Sequence, residues 1–350
     1  MLVKNMENKF KNSIYDFELD FIIKEINNNK YNIIGIQLPE GIKKYALNIV
    51  NYIEKYTTSK VFISSKICFG SCDLDINILD YVDAMFHFGH SKIKSCIPMN
   101  LKKKIYFIEL KSYYNENFVI KKLTEYLLDC DENNIGLFST IQYIYKLDII
   151  QKKLIENTKK NIKIYSGDNR VCYPGQVLGC NFSSLKNGIN NKCEMFIFIG
   201  NGEFHPLGMS IIANKEIICI DPQTLIITKI NSRNYYLKRH AIISNLIYKQ
   251  KKSYGILIST KLGQNRKELA FKIYESMLKL NLNVYLIILD NITPNLLRSF
   301  NVDAFINTAC PRLSLDDSSL FHVPIITAQE FEIIIGKEKW ENLNIDEILE

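Results

Sequence analysis

The sequence predicts an α/β protein of three similar domains, each a small parallel sheet flanked by helices. Two observations carry that expectation. Short apolar runs rich in Ile, Val and Phe alternate with helical segments of 10–15 residues, the pattern of βαβ units whose strands are buried on both faces. The same succession then returns twice along the chain, as an internal repeat does. At 350 residues the chain is also too long for one ordinary core. The expected domains are 1–117, 118–227 and 228–350.

The first unit opens with a helical segment near residues 13–27 and a buried strand at 32–37. A turn at Pro39-Glu40-Gly41 leads to helical periodicity over 42–56 and a second strand at 61–64. A loop holding Cys68 and Cys72, a short helix at 76–81, and strands at 84–88 and 105–108 complete it. In the second unit the strands fall at 134–138, 162–165, 195–199 and 216–220. A helix at 145–159 and a Gly-rich loop at 174–180 lie between them. The third unit has helices at 235–248 and 267–280 and strands at 254–258, 284–288, 304–307 and 324–327. Val82-Asp83-Ala84-Met85-Phe86 runs parallel to Val302-Asp303-Ala304-Phe305-Ile306, which supports the repeat. Each unit thus holds about four strands, with one cysteine near the C-terminal end of a strand, where open α/β sheets place their ligands.

The formal charge is +7, from 44 basic and 37 acidic residues. The basic residues fall in short runs, Lys102-Lys103-Lys104, Lys152-Lys153 and Lys251-Lys252, without interleaved aromatics. They read as solvated helix faces, and no direct nucleic-acid binding is expected. No apolar stretch approaches the ~20 residues that span a bilayer. The N-terminus, MLVKNMENKFKN, lacks the apolar region of a signal peptide. A cytoplasmic protein with no membrane partner is expected, in a compartment where disulfides are rare.

Nine cysteines (68, 72, 96, 130, 172, 180, 193, 219 and 310) therefore need another explanation. Cys68 and Cys72 invite a zinc reading, but no second close Cys or His pair supplies the remaining ligands. A CxxxCxxC loop is incomplete, because position 75 is Asp. Cys72, Cys180 and Cys310, spaced 108 and 130 residues apart, form no local motif, and each alone reads as a packed side chain. Their neighbours argue otherwise: Gly-Ser-Cys-Asp, Gly-Cys-Asn and Ala-Cys-Pro-Arg are loop sequences that build sites. Three thiolates can hold three irons of a cubane and leave the fourth iron open.

Longer blocks extend these loops: Gln37-Leu38-Pro39-Glu40-Gly41, Gly70-Ser71-Cys72-Asp73, His87-Phe88-Gly89-His90-Ser91, Gly175-Gln176-Val177-Leu178-Gly179-Cys180-Asn181 and Asn307-Thr308-Ala309-Cys310-Pro311-Arg312-Leu313. In this order, over essentially the whole chain, they resemble the blocks of the archaeal diphthamide synthase family. The resemblance implies a homodimer of three-domain subunits arranged around a central [4Fe–4S] cluster held by Cys72, Cys180 and Cys310. It implies transfer of the 3-amino-3-carboxypropyl group of S-adenosylmethionine to C2 of a histidine in translation elongation factor 2. The implied mechanism is one-electron chemistry fed by an electron donor, with methylthioadenosine released. Asn181 stands where the family pattern leads one to expect Thr.

A cosubstrate of that kind needs polar contacts at strand ends. His90 and Ser91 follow Gly89; Gly202 and His205 occupy the matching place in the second unit; Gln264 and Arg266 follow the first strand of the third. Turn stabilisation and helix capping are the competing roles for these residues. His87 reads as a packed histidine, and Arg312 as a partner of Asp316 or Asp317 or a brace for the Cys310 loop. The other six cysteines read as structural. Two different activities share the three-cysteine pattern: a quinolinate-synthase-like dehydratase, and a cluster-bearing electron-transfer subunit without catalysis of its own.

Overall fold

The computed structural model describes residues 13–248, 253–315 and 318–348; Lys251, Lys252, Asp316 and Asp317 lie outside them. Three sheets share one plan. In the first, the strands β1 (Ile33–Gln37), β2 (Lys60–Ile63), β3 (Ala84–Phe88) and β4 (Lys104–Ile108) lie in the order β2-β1-β3-β4, all parallel. The second contains β5 (Asn134–Ser139), β6 (Asn161–Lys163), β7 (Met195–Ile199) and β8 (Ile217–Ile220) in the equivalent order, and the third contains β10 (Ser253–Ser259), β11 (Asn283–Leu289), β12 (Ala304–Asn307) and β13 (Ile325–Thr327). The first and third strands of each unit are central and buried on both faces, which is why they read as unbroken apolar runs.

Two sequence devices recur at matching register and account for the repeat. A glycine in each first strand faces a large residue of the third: Gly35 opposite Met85, Gly136 opposite Phe196, and Gly255 opposite Phe305. A Cβ at Gly136 would stand 2.7 Å from the Phe138 ring, and one at Gly255 would stand 2.9 Å from the Phe305 ring. An acidic residue just before each third strand accepts hydrogen bonds from the amides that open the first. Asp83 takes those of Asn32 and Ile33, Glu194 those of Asn133 and Asn134, and Asp303 that of Ser253. The Val-Asp-Ala parallel in the sequence is this cap.

The second sheet has a fifth strand that the sequence reading does not contain. β9 (Ile227–Ile230) pairs antiparallel with β8 across a turn closed by Leu225 N–H donating to the Asp221 carbonyl at 2.8 Å. The run Lys102–Lys104 leads into β4 rather than lying on a helix face, with Lys103 Nζ bonded to the Leu79 carbonyl at 2.6 Å.

Helices α1 (Leu19–Asn29) and α2 (Ala46–Tyr56) cover the first sheet, preceded at Glu40–Tyr45 by a 3₁₀ turn. Helices α3 (Glu116–Leu128) and α4 (Leu147–Thr158) cover one face of the second, and α5 (Ser183–Asn190) and α6 (Phe204–Ala213) cover the other. Helix α7 (Arg233–Tyr248) joins two cores: Tyr235 packs in the second unit and Leu246 in the third. In the third unit α8 (Lys267–Lys279), the short α9 (Pro294–Leu297) and α10 (Arg312–Leu315), and α11 (Ala328–Ile334) complete the set. Residues 343–348 return to the second unit, where Ile345 enters its core. Among the described residues, no helix is long and apolar enough to cross a membrane.

Arg239 on α7 ties that helix to the segment after Cys310. Its guanidinium is bidentate on Glu330 and also donates to the carbonyls of Ser314 and Ile325, at 3.2 and 2.9 Å. Both charged side chains are sealed from solvent, and Glu330 also closes a capping box with Thr327 at the start of α11. Leaving one member of such a pair unmatched costs about 3–5 kcal/mol. Glu330→Gln, which can keep the cap, should lower stability by that amount in a urea titration. Adding Arg239→Met should restore most of it, and a double variant no more stable than Glu330→Gln would show that the unpaired charge is not the cause.

Candidate functional site

Each of the three cysteines sits in a loop at the C-terminal side of its sheet, held by buried polar groups. Cys72 lies in the turn Ser71–Asp73 after β2. The Ser71 hydroxyl donates to the Ser91 carbonyl, and Gln37 Nε2 donates to the Asp73 carbonyl at 2.8 Å. The Asp73 carboxylate meets Lys261 Nζ, from the third unit, at 2.6 Å. Gly263 packs on the same turn: a Cβ there would stand 2.4 Å from both Cys72 Cβ and Cys96 Sγ. Only glycine allows that approach.

Cys180 is framed by reciprocal backbone bonds between Leu178 and Asn181 and by Ile348 N–H donating to its carbonyl at 2.9 Å. Asn181, at the position of the family departure, is fully buried. Its amide donates to Asp168 at 2.7 Å and accepts from the Ser183 backbone and hydroxyl, so it fastens the loop to the start of α5. Cys310 follows β12. Asn307 Nδ2 donates to its carbonyl at 2.8 Å, and Arg266 donates to the carbonyls of Thr308 and Ala309.

The three loops converge on one cavity of about 240 Å³ that Cys72, Cys180 and Cys310 all line. Burial pushes the Cys72 thiol up to about 11, with the nearby Cys180 adding to the effect. Cys310 is raised by burial and then by Cys72 and Cys180. Burial raises Cys180 too, while the Arg170 guanidinium, in hydrogen-bonding reach, works against it. Three half-buried sulfurs lining one cavity, close enough to repel one another as thiolates, are a donor set that calls for a cation among them. The cavity is larger than one ion needs, and no fourth cysteine lines it. The residues present therefore fit an iron–sulfur cluster with three cysteine ligands.

Among the residues expected from sequence to contact a cosubstrate, His90, Ser91, His205 and Gln264 line this cavity. Gln264 Nε2 lies 3.3 Å from Cys72 Sγ, and Ser91 Oγ accepts from Gln176 Nε2 at 2.8 Å. Gly202 and Arg266 stand outside the lining. Gly202 takes φ 77° in the exposed turn before α6, where a Cβ would meet open space. Arg266 is bidentate on Asp346, at 2.7 and 2.6 Å, so its guanidinium braces the Cys310 loop against residues 343–348.

His87 is fully buried but not merely packed: Nδ1 bonds Gln37 Oε1 at 2.9 Å and Nε2 faces His90 Nδ1 at 3.0 Å. The ligand atoms of Cys68, His87 and His90 lie within 4.8 Å of one another. Burial depresses both histidines, His90 to about 4, so both are neutral at pH 7. His205 is also held down to about 4, by burial and then by the charge of Arg312.

Two arginines escaped sequence reasoning as site residues. Arg170, 3% exposed, reaches from the loop before Cys180 and donates to Ser95 Oγ at 3.3 Å. Arg312, expected to pair with Asp316 or Asp317 or to brace its own loop, lines the cavity with its guanidinium 5.4 Å over the Phe204 ring. Only the position two residues after a candidate ligand could have flagged Arg312, and nothing local marks Arg170.

Comparison with known proteins agrees with this geometry. A family model described as "Putative diphthamide synthesis protein" matches residues 38–344. A 2-(3-amino-3-carboxypropyl)histidine synthase of Pyrococcus horikoshii is 31% identical over 94% of this chain and 92% of its own length. A protein of the same name from Methanocaldococcus jannaschii is 29% identical over 96% of this chain and 95% of its own. The crystal structure of Dph2 from Pyrococcus horikoshii with a 4Fe–4S cluster superimposes with a TM-score of 0.85 at 30% identity, covering 95% of this chain and 94% of that one. By its matched length and its relatives, this chain belongs to the diphthamide synthesis protein family.

Proposed function

We propose that this enzyme catalyses the first step of diphthamide formation, moving the 3-amino-3-carboxypropyl group of S-adenosylmethionine to C2 of a histidine in elongation factor 2. The observation that carries the reading is the meeting of Cys72, Cys180 and Cys310, one from each sheet, on a single cavity. A cluster held there supplies an electron of low potential and an iron not taken by cysteine. The same reading implies a one-electron mechanism, a homodimer, an external electron donor and a cytoplasmic setting. Its relatives favour it over a quinolinate-synthase-like dehydratase or a non-catalytic electron-transfer subunit.

The chain's own residues bind and orient. Arg312, the cation among the lining residues, suits the carboxylate of the transferred group. His90 and His205, both neutral, place no like charge against a sulfonium. Phe69, Ile93, Ile141, Val177, Leu178 and Phe204 wall the cavity and exclude water. Orientation between these groups selects which of the three carbon–sulfur bonds breaks. Arg170 beside Cys180 offsets part of the negative charge of three thiolates.

With the cluster rebuilt without oxygen, reductant and S-adenosylmethionine should yield methylthioadenosine, and label should pass to elongation factor 2. An intact cluster by spectroscopy with no methylthioadenosine would sink the proposal. Replacing Cys72, Cys180 or Cys310 by Ala should cut bound iron severalfold, whereas Cys130→Ala should not; equal iron in all four removes the ligand assignment. Gly263→Ala should also lower cluster yield, because its methyl meets the Cys72 turn, while far-ultraviolet circular dichroism stays that of the parent. Full yield in that variant would show that the turn yields freely.

A further inference from the structure

A second cavity, of about 100 Å³, adjoins the first. It shares Phe69, Gln264, Cys310 and Arg312 with the larger one, so the two chambers meet beside Cys310. The smaller is walled by Ile67, Ile292 and Leu313 and ends in Asp290, Asn291 and Thr293, at the C-terminal end of β11. Such an end is where open α/β sheets hold ligands.

The polar end is built to accept hydrogen bonds. Asn291 Nδ2 donates to Asp290 Oδ2 at 3.2 Å, which fixes the amide, since the reverse orientation would set its oxygen against the carboxylate. Asn291 Oδ1 is then a buried acceptor that no donor among the described residues reaches. Such a group costs free energy until a ligand supplies the missing donor. Asp290 is steadied by Thr260 Oγ1 at 3.2 Å and Lys66 Nζ at 3.4 Å, and its side chain stays 43% exposed. Of the two cations in the wall, Lys261 is engaged with Asp73 and Arg312 lies over the Phe204 ring, on the side of the larger chamber.

We propose that this smaller chamber receives the acceptor imidazole, with Asp290 and Asn291 Oδ1 taking a ring N–H. The inference rests on the transferase reading above and assigns its second substrate. A planar ring with an N–H suits apolar walls and an end made of acceptors. C2 lies between the two ring nitrogens, so a grip on one of them aims that carbon. Two chambers meeting at Cys310 also let donor and acceptor approach one point from different directions, as a direct transfer requires.

The competing occupant is the adenine of the cosubstrate, which also carries N–H donors. Two measurements on Asp290→Asn decide. Lys66 also pairs with Asp73, at 3.6 Å, and that tie does not involve residue 290. In the cluster-free protein at pH 8, free imidazole should give a saturation-transfer NMR signal that falls at least fivefold in the variant. In the loaded enzyme, modified histidine per methylthioadenosine released should fall at least tenfold. Retention of either at the parent level overturns the assignment. A tenfold weaker affinity for S-adenosylmethionine with the ratio retained gives the chamber to adenine. The imidazole measurement needs no cosubstrate, so it stands apart from the fate of the transferase reading.

Discussion

The site depends on one constraint: a loop of the third unit must lie against the Cys72 turn of the first. The Lys261–Asp73 ion pair does this, its two side chains 5% and 0% exposed. Burial, with a smaller push from the Asp290 charge, raises the Asp73 carboxyl, and Lys261 and then Lys66 work against that rise. Buried pairs of this kind contribute little net stability, because desolvating the charges offsets their attraction. What the pair does contribute is position. With it formed, Gly263 meets Cys72, Gln264 meets its sulfur, and Arg266 two residues on reaches the Cys310 loop.

A second tie comes from residues 343–348. Asp346 engages Arg266, Glu347 accepts from the Phe182 amide and pairs with Lys186, and Ile348 bonds the Cys180 carbonyl. One short segment therefore holds the loops of Cys180 and Cys310 together. The remaining link, Arg239 with Glu330, anchors the stretch after Cys310 to the helix that joins the second and third cores. These ties are polar, so they specify one arrangement where apolar packing would tolerate several.

Much of this was legible in the sequence, for a physical reason. Central strands of parallel sheets have no solvent face, so their apolar runs stand out, and the boundaries of β7 and β12 fall where those runs do. Helix α6 stayed hidden because it is apolar nearly all round: Phe204–Ala213 has no polar stripe to mark its period. β9 stayed hidden because its run, Ile-Thr-Lys-Ile, is half exposed and short. At the site, loops with glycine beside cysteine pointed to Cys72 and Cys180, and strand-end placement led to His90, Ser91, His205 and Gln264. The same rule also led to Arg266, because position along a strand says nothing about which carboxylate the side chain will meet. Arg170 and Asp290 act across units, and spacing along one chain carries no trace of such a meeting.

The separation of Cys72, Cys180 and Cys310 along the chain has a consequence for the life of the protein, if they hold the cluster as proposed above. No segment shorter than most of the chain contains all three sulfurs, and the unfolded chain offers iron no site of this shape. The free energy of holding a cluster is therefore added to the free energy of docking the units. Iron loss and loosening between units become one event, so damage confined to a buried inorganic group would be felt on the outer surface as altered protease sensitivity.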